Sequence, residues 1–501
     1  MSRKSKKRII ESPDQPTLFT EIEKKNYTDE QKEFITYTGD SSVILAATAG
    51  SGKTFSSVER LKFLLNKGVP PEKIIFFSFT KVATEELAER IGNDAVKITT
   101  IHAFSFHILS KIGKFKKVAT FYDFVNWYKK NCKPTGNVTY EERQEFNEKI
   151  RRLYDEGDYI SSSISAYKLQ IADDIKVPVP EFFHTYQDFL RSERSRDFSD
   201  MLIEVRDAFA DDKWLNMFKN KYDYIFIDEY QDTSTIQLQV VLALNAKFYY
   251  LIGDRNQAIY SYSGTNCDMV EEMLKNRRTT IEMSLTVNFR SDKSIIRNSN
   301  NFSSLRATAY SKEEGFVNRD VILDNHKLGE LLRSSSEQVV ALVRTNTTIR
   351  SLELDFLKKR LPMKYFNYIT PAELDSIPKG LDTLHDSTKK KLDALLGVKN
   401  KKGISVFTSY VDIYSFIKVH ENCNNFITSI HKSKGREFDV CIVVNSLPPD
   451  LVSELGYDKL LSKKQLKRIT FSDKEEDQEK KNIHYVAVSR SKRGLYFMVA
   501  T

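Results

Sequence analysis

Ala47-Thr48-Ala49-Gly50-Ser51-Gly52-Lys53-Thr54 is the stretch that decides the fold. Val43-Ile44-Leu45 before it reads as a short buried strand, and Val58, Leu61, Leu64 and Leu65 after it mark an amphipathic helix. A glycine-rich turn between strand and helix is a phosphate cradle. Gly50 and Gly52 let backbone N–H groups converge on the phosphates, Lys53 reaches the β and γ oxygens, and Thr54 can hold Mg²⁺. Ala49, Gly50, Ser51, Gly52, Lys53 and Thr54 are therefore candidate nucleotide ligands. Moving outward, Val69-Pro70-Pro71 breaks the chain, Ile74 to Phe79 predicts the next strand, and Ala83 to Ile91 predicts a helix. That order is a βαβ unit with a parallel sheet.

Further on, Ile225-Phe226-Ile227-Asp228-Glu229 is an apolar strand ending in two carboxylates. One acid can orient Mg²⁺ and the next can polarise an attacking water. Strands are also predicted at Tyr224 to Ile227 and Tyr249 to Ile252, after a helical stretch from about 106 to 196 rich in Tyr, Lys and Arg. A second strand and helix series begins near Ile281, includes Val339 to Val343, and resumes at Val440 to Val444 and Leu495 to Val499. Between about 367 and 420 lies a smaller Lys-rich segment that again reads as an insertion. No solenoid repeat is present, but two α/β lobes with one insertion each amount to a duplication.

The 501 residues give length for about three domains and a large core. At 40% hydrophobic and 29% charged, with 18 Gly and 12 Pro, the composition excludes collagen-like and bulk-disordered classes. Arg3, Lys4, Lys6, Lys7 and Arg8 supply five of the nine excess positive charges, so any polyanion surface on the folded part must be local. Cys132, Cys267, Cys423 and Cys441 lie far apart, against zinc, an iron–sulfur cluster or a disulfide framework. His102 and His107, five apart, do not share a helix face, so metal binding is the weaker reading for them. With no apolar run of membrane length and no signal peptide, the expected location is the cytoplasm of a bacterial or virus-infected cell.

Asp228-Glu229-Tyr230-Gln231-Asp232, followed by Gly253-Asp254-Arg255-Asn256-Gln257-Ala258-Ile259-Tyr260, resembles the Walker B and third motifs of the UvrD/Rep/PcrA branch of superfamily 1 helicases. Other motifs follow in order from about residue 27 to the end. Thr28-Asp29-Glu30-Gln31 resembles the adenine-reading segment, with Gln31 as its glutamine. Phe79-Thr80, Thr100-Ile101-His102 and Asp197-Phe198-Ser199-Asp200 are similar to strand-contacting motifs. Asn288-Phe289-Arg290-Ser291 resembles the fourth motif, which implies Phe289 on adenine and Arg290 at the γ-phosphate. His431-Lys432-Ser433-Lys434-Gly435-Arg436-Glu437-Phe438 is similar to the fifth, which implies Glu437 on the ribose beside Gly435. Tyr485-Val486-Ala487-Val488-Ser489-Arg490 resembles the sixth, which makes Arg490 a second arginine finger.

The resemblance implies an α/β fold of two RecA-like P-loop NTPase domains with parallel sheets, each interrupted by an inserted, mainly helical subdomain. The expected divisions are a flexible basic tail at 1–26, a first lobe at 27–105 and 197–280, and its insertion at 106–196. The second lobe is expected at 281–366 and 421–501, with a reduced insertion at 367–420. It further implies ATP and Mg²⁺ as cofactors, with Thr54 and Asp228 on the metal. Lys53, Asp228, Glu229, Gln257, Arg290 and Arg490 are the expected catalytic set, with Gln257 as γ-phosphate sensor. Thr80, Thr100, His102, Phe198, Tyr260, Tyr262 and His431 are expected on DNA.

Several positions depart from the family pattern. Lys81-Val82 replaces Asn-Lys, Tyr262-Ser263 replaces Trp-Arg, Ser429 and Ser489 replace threonines, and Lys481-Asn482 stands where arginine is usual. With a short second insertion and the chain ending after the sixth motif, no C-terminal nuclease is expected. The implied function is an ATP-dependent single-stranded DNA translocase and 3′→5′ helicase of replication, recombination or repair, a monomer acting on single-stranded and tailed duplex DNA. The alternative is an ATP-gated DNA-binding or protein-displacing factor without strand separation. Gln15-Pro16-Thr17-Leu18-Phe19 resembles a sliding-clamp peptide. Its other reading is a staple of Leu18 and Phe19 onto the first lobe.

Overall fold

Short runs of Val, Ile, Phe and Tyr, too apolar to leave either face in water, form the strands of two all-parallel sheets covered by helices on both sides. The computed structural model describes residues 26–260, 265–318, 331, 335–361, 363–379, 384–399, 404–446 and 478–499. The clamp-like peptide Gln15–Phe19 and Tyr262 lie outside the described residues.

The first sheet comprises β1 (Ser42–Ala47), β2 (Ile74–Phe77), β3 (Lys97–Thr99), β4 (Tyr224–Asp228), β5 (Phe248–Gly253) and β6 (Thr280–Leu285), in the order β3-β2-β4-β5-β1-β6. Its period-2 alternation splits the core in two. Val43, Leu45, Phe76 and Phe226 face the helices Asp29–Thr36 and Lys53–Asn66. Ile44, Ile75, Ile225 and Leu251 face Phe104 and Ile108 of helix Ile101–Lys111, and Leu202 of Phe198–Ala208. Buried Arg60 ties the first helix down, donating to the Ile35 carbonyl at 3.0 Å and the Tyr250 hydroxyl at 2.8 Å.

The second sheet comprises β7 (Phe316–Val317), β8 (Val339–Val343), β9 (Phe426–Ser429), β10 (Phe438–Val444) and β11 (Ser491–Met498), in the order β7-β11-β10-β8-β9. Helix Gln478–Val488 packs Ile483, Val486 and Ala487 on one face against Leu342, Cys441 and Val443.

Packing places three lobe edges differently from the sequence expectation. Helix Ile101–Lys111 runs through the expected edge at 105, and its Phe104, Ile108 and Leu109 belong to the first core. Strand β6 pairs in parallel with β1, Leu45 opposite Met283, so the first lobe continues to Leu285 rather than stopping at 280. The expected second insertion does not stand apart. Helices Pro371–Ser376, Asp386–Leu396 and Tyr410–Val419 place Leu374, Leu392, Leu395, Ile413 and Ile417 in one core with Val339 and Ala341 of β8. The first insertion does have its own core, with Phe124, Ile160, Ile164 and Phe189 drawn from helices Phe121–Asn131, Gly157–Ala172 and Phe183–Ser192. It is rooted by the two-residue parallel pair Lys117–Val118 with Ser195–Arg196.

Candidate nucleotide site and strand channel

The phosphate loop follows β1 at the carboxyl end of the sheet, where open α/β folds place ligands. Gly50 and Gly52 both have left-handed backbone, φ 73° and 82°. At Gly50 a Cβ would meet Asn288 Nδ2 at 2.7 Å, so the loop needs glycine for conformation and for clearance. Asn288 Nδ2 donates to the Ala49 carbonyl at 2.5 Å, and the Phe289 N–H donates to the Gly50 carbonyl at 2.9 Å. The crossover between lobes thus rests on the loop itself. Glu30 adds a second grip, accepting from the Thr286 N–H at 2.7 Å and its hydroxyl at 2.6 Å. Neighbouring Gln31 is buried, with Nε2 3.5 Å from the Ser51 carbonyl and Oε1 accepting from the Thr28 N–H.

Asp228 and Glu229 end β4, and Glu229 has φ 53°, a left-handed conformation uncommon for a non-glycine residue and often found at functional sites. Burial and then Glu229 push the Asp228 carboxyl up. Burial acts the same way on Glu229, but Lys53, Lys434, the Gln231 hydrogen bond and Arg490 together outweigh it and hold that carboxyl down. Gln231 Nε2 donates to Glu229, while its Oε1 accepts from the Asp254 N–H at 3.1 Å. A side chain at Gly253 would strike Gln231 Oε1 at 2.2 Å, so β5 ends in glycine to bring the two loops together.

The second lobe supplies the other wall. Arg490 is buried and donates to Gln257 Oε1 at 3.0 Å, the Val486 carbonyl at 3.1 Å and Ser489 Oγ at 3.1 Å. Burial, then Arg290, lower its pKa to about 10, which leaves it charged at neutral pH. Arg290 donates to the Ser489 carbonyl at 3.1 Å and to Glu437 at 2.9 Å. Glu437, expected on a ribose, is thus paired with Arg290 and with Lys492 at 3.0 Å. Phe289, 40% exposed, lies against Tyr310 with ring centroids 4.9 Å apart. Gly435 has φ 79°. Phosphate-cradling glycines, an amino group, paired carboxylates and two guanidiniums on the far wall form a donor set that fits a magnesium nucleotide.

The third motif lies between this wall and the sheet. Tyr485 OH accepts from the Ala49 N–H at 3.2 Å and donates to Asp254 at 3.1 Å, and Gln257 Nε2 donates to the same Asp254 oxygen at 2.8 Å. Three successive carbonyls are then held from the second lobe. Lys434 donates to that of Gln257 at 2.8 Å, Asn482 to that of Ala258 at 2.8 Å, and His431 Nε2 lies 3.3 Å from that of Ile259. Lys434 also pairs with buried Asp232 and lies over the Tyr260 ring at 5.3 Å.

Tyr260, immediately after these carbonyls, stacks on Phe79 at 5.6 Å and lies 5.6 Å from His431. Thr80 and Thr100 are helix N-caps, accepting from Ala83 and Ala103 N–H groups at 3.1 Å, so each sits at a helix end suited to phosphate. His102 packs edge-on against exposed Phe198 at 5.3 Å, and burial lowers its pKa to about 4, which leaves a neutral ring. A cavity of about 910 Å³ runs between the first insertion and the second lobe, lined by Tyr260, His431, Arg344, Lys432, Phe121 and Tyr159 among others. Asn346 reaches across to Asp158 at 3.3 Å.

The UvrD/REP helicase N-terminal domain model matches residues 27–278, and the UvrD-like helicase C-terminal domain model matches 405–501. The chain belongs to the UvrD/REP helicase family. Its two parallel-sheet lobes are the RecA-like pair expected of that superfamily 1 family. A probable DNA helicase II homolog of Mycoplasma capricolum is 28% identical over 316 residues, 58% of this chain and 42% of that protein. A probable DNA helicase of Mycoplasma pneumoniae is 24% identical over 504 residues, covering 95% and 83%. The ATP-dependent DNA helicase PcrA of Staphylococcus epidermidis is 24% identical over 507 residues, covering 88% and 67%. The match thus spans less than half the length of the first of these relatives.

In this UvrD-like chain the seam brings Lys53, Asp228, Glu229, Gln257, Arg290 and Arg490 toward one space. The sequence reading missed Arg344 and the carbonyl holders Lys434 and Asn482. Arg344 directly follows buried β8 at its carboxyl end, a position that could have marked it. Among the described residues no helix is long and apolar enough to cross a membrane. Replacing Lys434 by methionine removes the cation beside buried Asp232. Urea unfolding should show a loss of about 3 kcal/mol, as for other buried pairs broken on one side.

Proposed function

We propose that the protein is an ATP-driven DNA helicase that translocates 3′→5′ on single-stranded DNA in replication, recombination or repair. The observation that carries this reading is the continuous path from Arg490 through Gln257 and its neighbouring carbonyls to Tyr260. A change at the nucleotide wall moves the same loop that bears the stacking ring.

Ala49, Gly50, Ser51, Gly52 and Lys53 hold the phosphates in this reading, with Gln31 and Phe289 about the adenine. Thr54 and Asp228 would hold Mg²⁺, which when bound neutralises charge on the β and γ oxygens. Glu229, kept anionic by Lys53 and Lys434, orients the attacking water and takes its proton. Arg290 and Arg490 meet the charge that spreads over the γ-phosphoryl as the lobes close, and Arg290 must leave Glu437 to do so. Glu437 is then released toward the ribose, beside Gly435. Thr80, Thr100, His102, Phe198, Tyr260 and His431 hold the strand, with Tyr262 assigned to the same task by resemblance alone.

A second reading, ATP-gated displacement of proteins without strand separation, draws support from the short segment at 367–420, whose helices are packed into the second lobe. A tailed-duplex assay separates the two. Displacement from a 3′ tail and not from a 5′ tail is the expected result. Rapid ATP turnover without displacement favours the second reading, and displacement from the 5′ tail alone would refute the polarity. Glu229→Gln should slow DNA-stimulated turnover by about 10² to 10⁴, and Arg490→Ala by about 10³ to 10⁵, with nucleotide binding largely kept in each. Steady-state ATPase together with nucleotide titration checks both.

A cytoplasmic, monomeric protein docking on a sliding clamp through Gln15–Phe19 belongs to the same proposal. Retention on immobilised clamp should be lost in Leu18→Ala/Phe19→Ala, and undiminished retention removes that part.

A further inference from the structure

The cavity between the insertion and the second lobe is a weak attractor for a polyanion. Glu156, Asp158 and Glu479 line it along with Arg344 and Lys432, and burial keeps the His431 ring on the neutral side. Excess positive charge lies instead along the outer edge of the first lobe, on the helix that begins at Thr100. His107 and Lys111, four residues apart, form one stripe of helix Ile101–Lys111. Lys97 of β3 and Lys221 ahead of β4 flank it, and the four groups are close enough to act on one another. Partial burial and then Lys97, Lys111 and Lys221 depress His107, while burial and Lys221 depress Lys97. Nearby cations have partners, Lys73 and Lys247 on Asp223 and Lys116 on Glu204. Among the described residues Lys97, Lys111 and Lys221 have no ion pair.

An aromatic stripe lies about 140° round the same helix, on the other flank of its exposed face. His102 and Phe106 are also four residues apart, about 6 Å along the axis. Phe106 is 40% exposed and meets Phe115, 69% exposed, edge-on at 5.8 Å. Lysines on one flank and exposed rings on the other flank of one exposed helix face, starting at a strand-contact motif, have the composition of a single-strand binding track.

We propose that Lys97, Lys111 and Lys221, with the His107 ring as a hydrogen-bond donor, bind phosphates, and Phe106 and Phe115 bind bases, of a single-stranded nucleic acid segment that continues outside the channel. The inference rests on the proposed function for the origin of that strand, and lengthens its footprint along the first lobe.

Anisotropy titrations of the full chain with oligonucleotides of about 8 and about 20 nucleotides test it, since sites of this kind cover about 4 to 16. Lys111→Ala/Lys221→Ala should weaken binding of the longer oligonucleotide about tenfold. It should also flatten its log K against log salt slope by about 1.4, two phosphate contacts at about 0.7 each. Affinity for the shorter one should stay within about twofold. Phe106→Ala/Phe115→Ala should weaken the longer one by a similar factor with the slope unchanged, because rings release no counterions. Thermal unfolding of both variants checks that the fold is intact. Equal losses on the two lengths, or no loss on the longer, overturn the track while leaving the strand channel in place. Failure of the unaltered protein to bind either length overturns the proposed function and the track together.

Discussion

A guanidinium withdrawn from water with no carboxylate in direct ion-pair contact, only Glu229 acting on it from farther off, is the constraint around which this molecule is arranged. Arg490 is fully buried, and among the described residues it is bonded to carbonyls, a hydroxyl and the Gln257 amide, with no ion-pair partner. Removing a charge from water costs several kcal/mol, and neutral acceptors repay only part of that. The full compensation for such a cation is an anion. In the proposed function a triphosphate supplies one, in the space between Arg490 and the loop that ends in Lys53.

Much of the surrounding architecture keeps that space shared between the lobes. Asn288 and Phe289 rest on the phosphate loop, Glu30 holds Thr286 where the chain crosses, and Tyr485 bridges Ala49 and Asp254. None of these contacts is large in energy alone, about 0.5 to 1.5 kcal/mol for an ordinary hydrogen bond. In the proposed mechanism they let a change at the nucleotide be felt on both sides. The row of carbonyls from Gln257 to Ile259 is the proposed route to Tyr260, which is held among Phe79, Lys434 and His431.

The lobes and their site were legible where a local pattern carries its own chemistry. The phosphate loop and the apolar strand ending in Asp228-Glu229 need only strand, turn and helix context, whereas the arginines of the fourth and sixth motifs come from the family resemblance. Lobe edges were not legible in that way, because they depend on pairing over long separations. Ile281 begins a strand in either reading, and only its hydrogen bonding beside Val43 assigns it to the first lobe. The segment at 367–420 looks separate in composition, yet Leu392 and Ile413 turn into the second core. In the sequence Asn482 stands out only as a departure from arginine. Its bond to the Ala258 carbonyl joins residues 224 apart in the chain, a relation no local pattern reports.

If the two sites share one loop, each ligand must alter the affinity for the other by the same factor. Single-strand affinity measured with and without a non-hydrolysable ATP analogue is the most direct test. A shift of about 5-fold or more, matched by an equal shift in analogue affinity when DNA is added, is the predicted result. Identical strand affinity in the two conditions would contradict the account, however tightly each ligand binds alone.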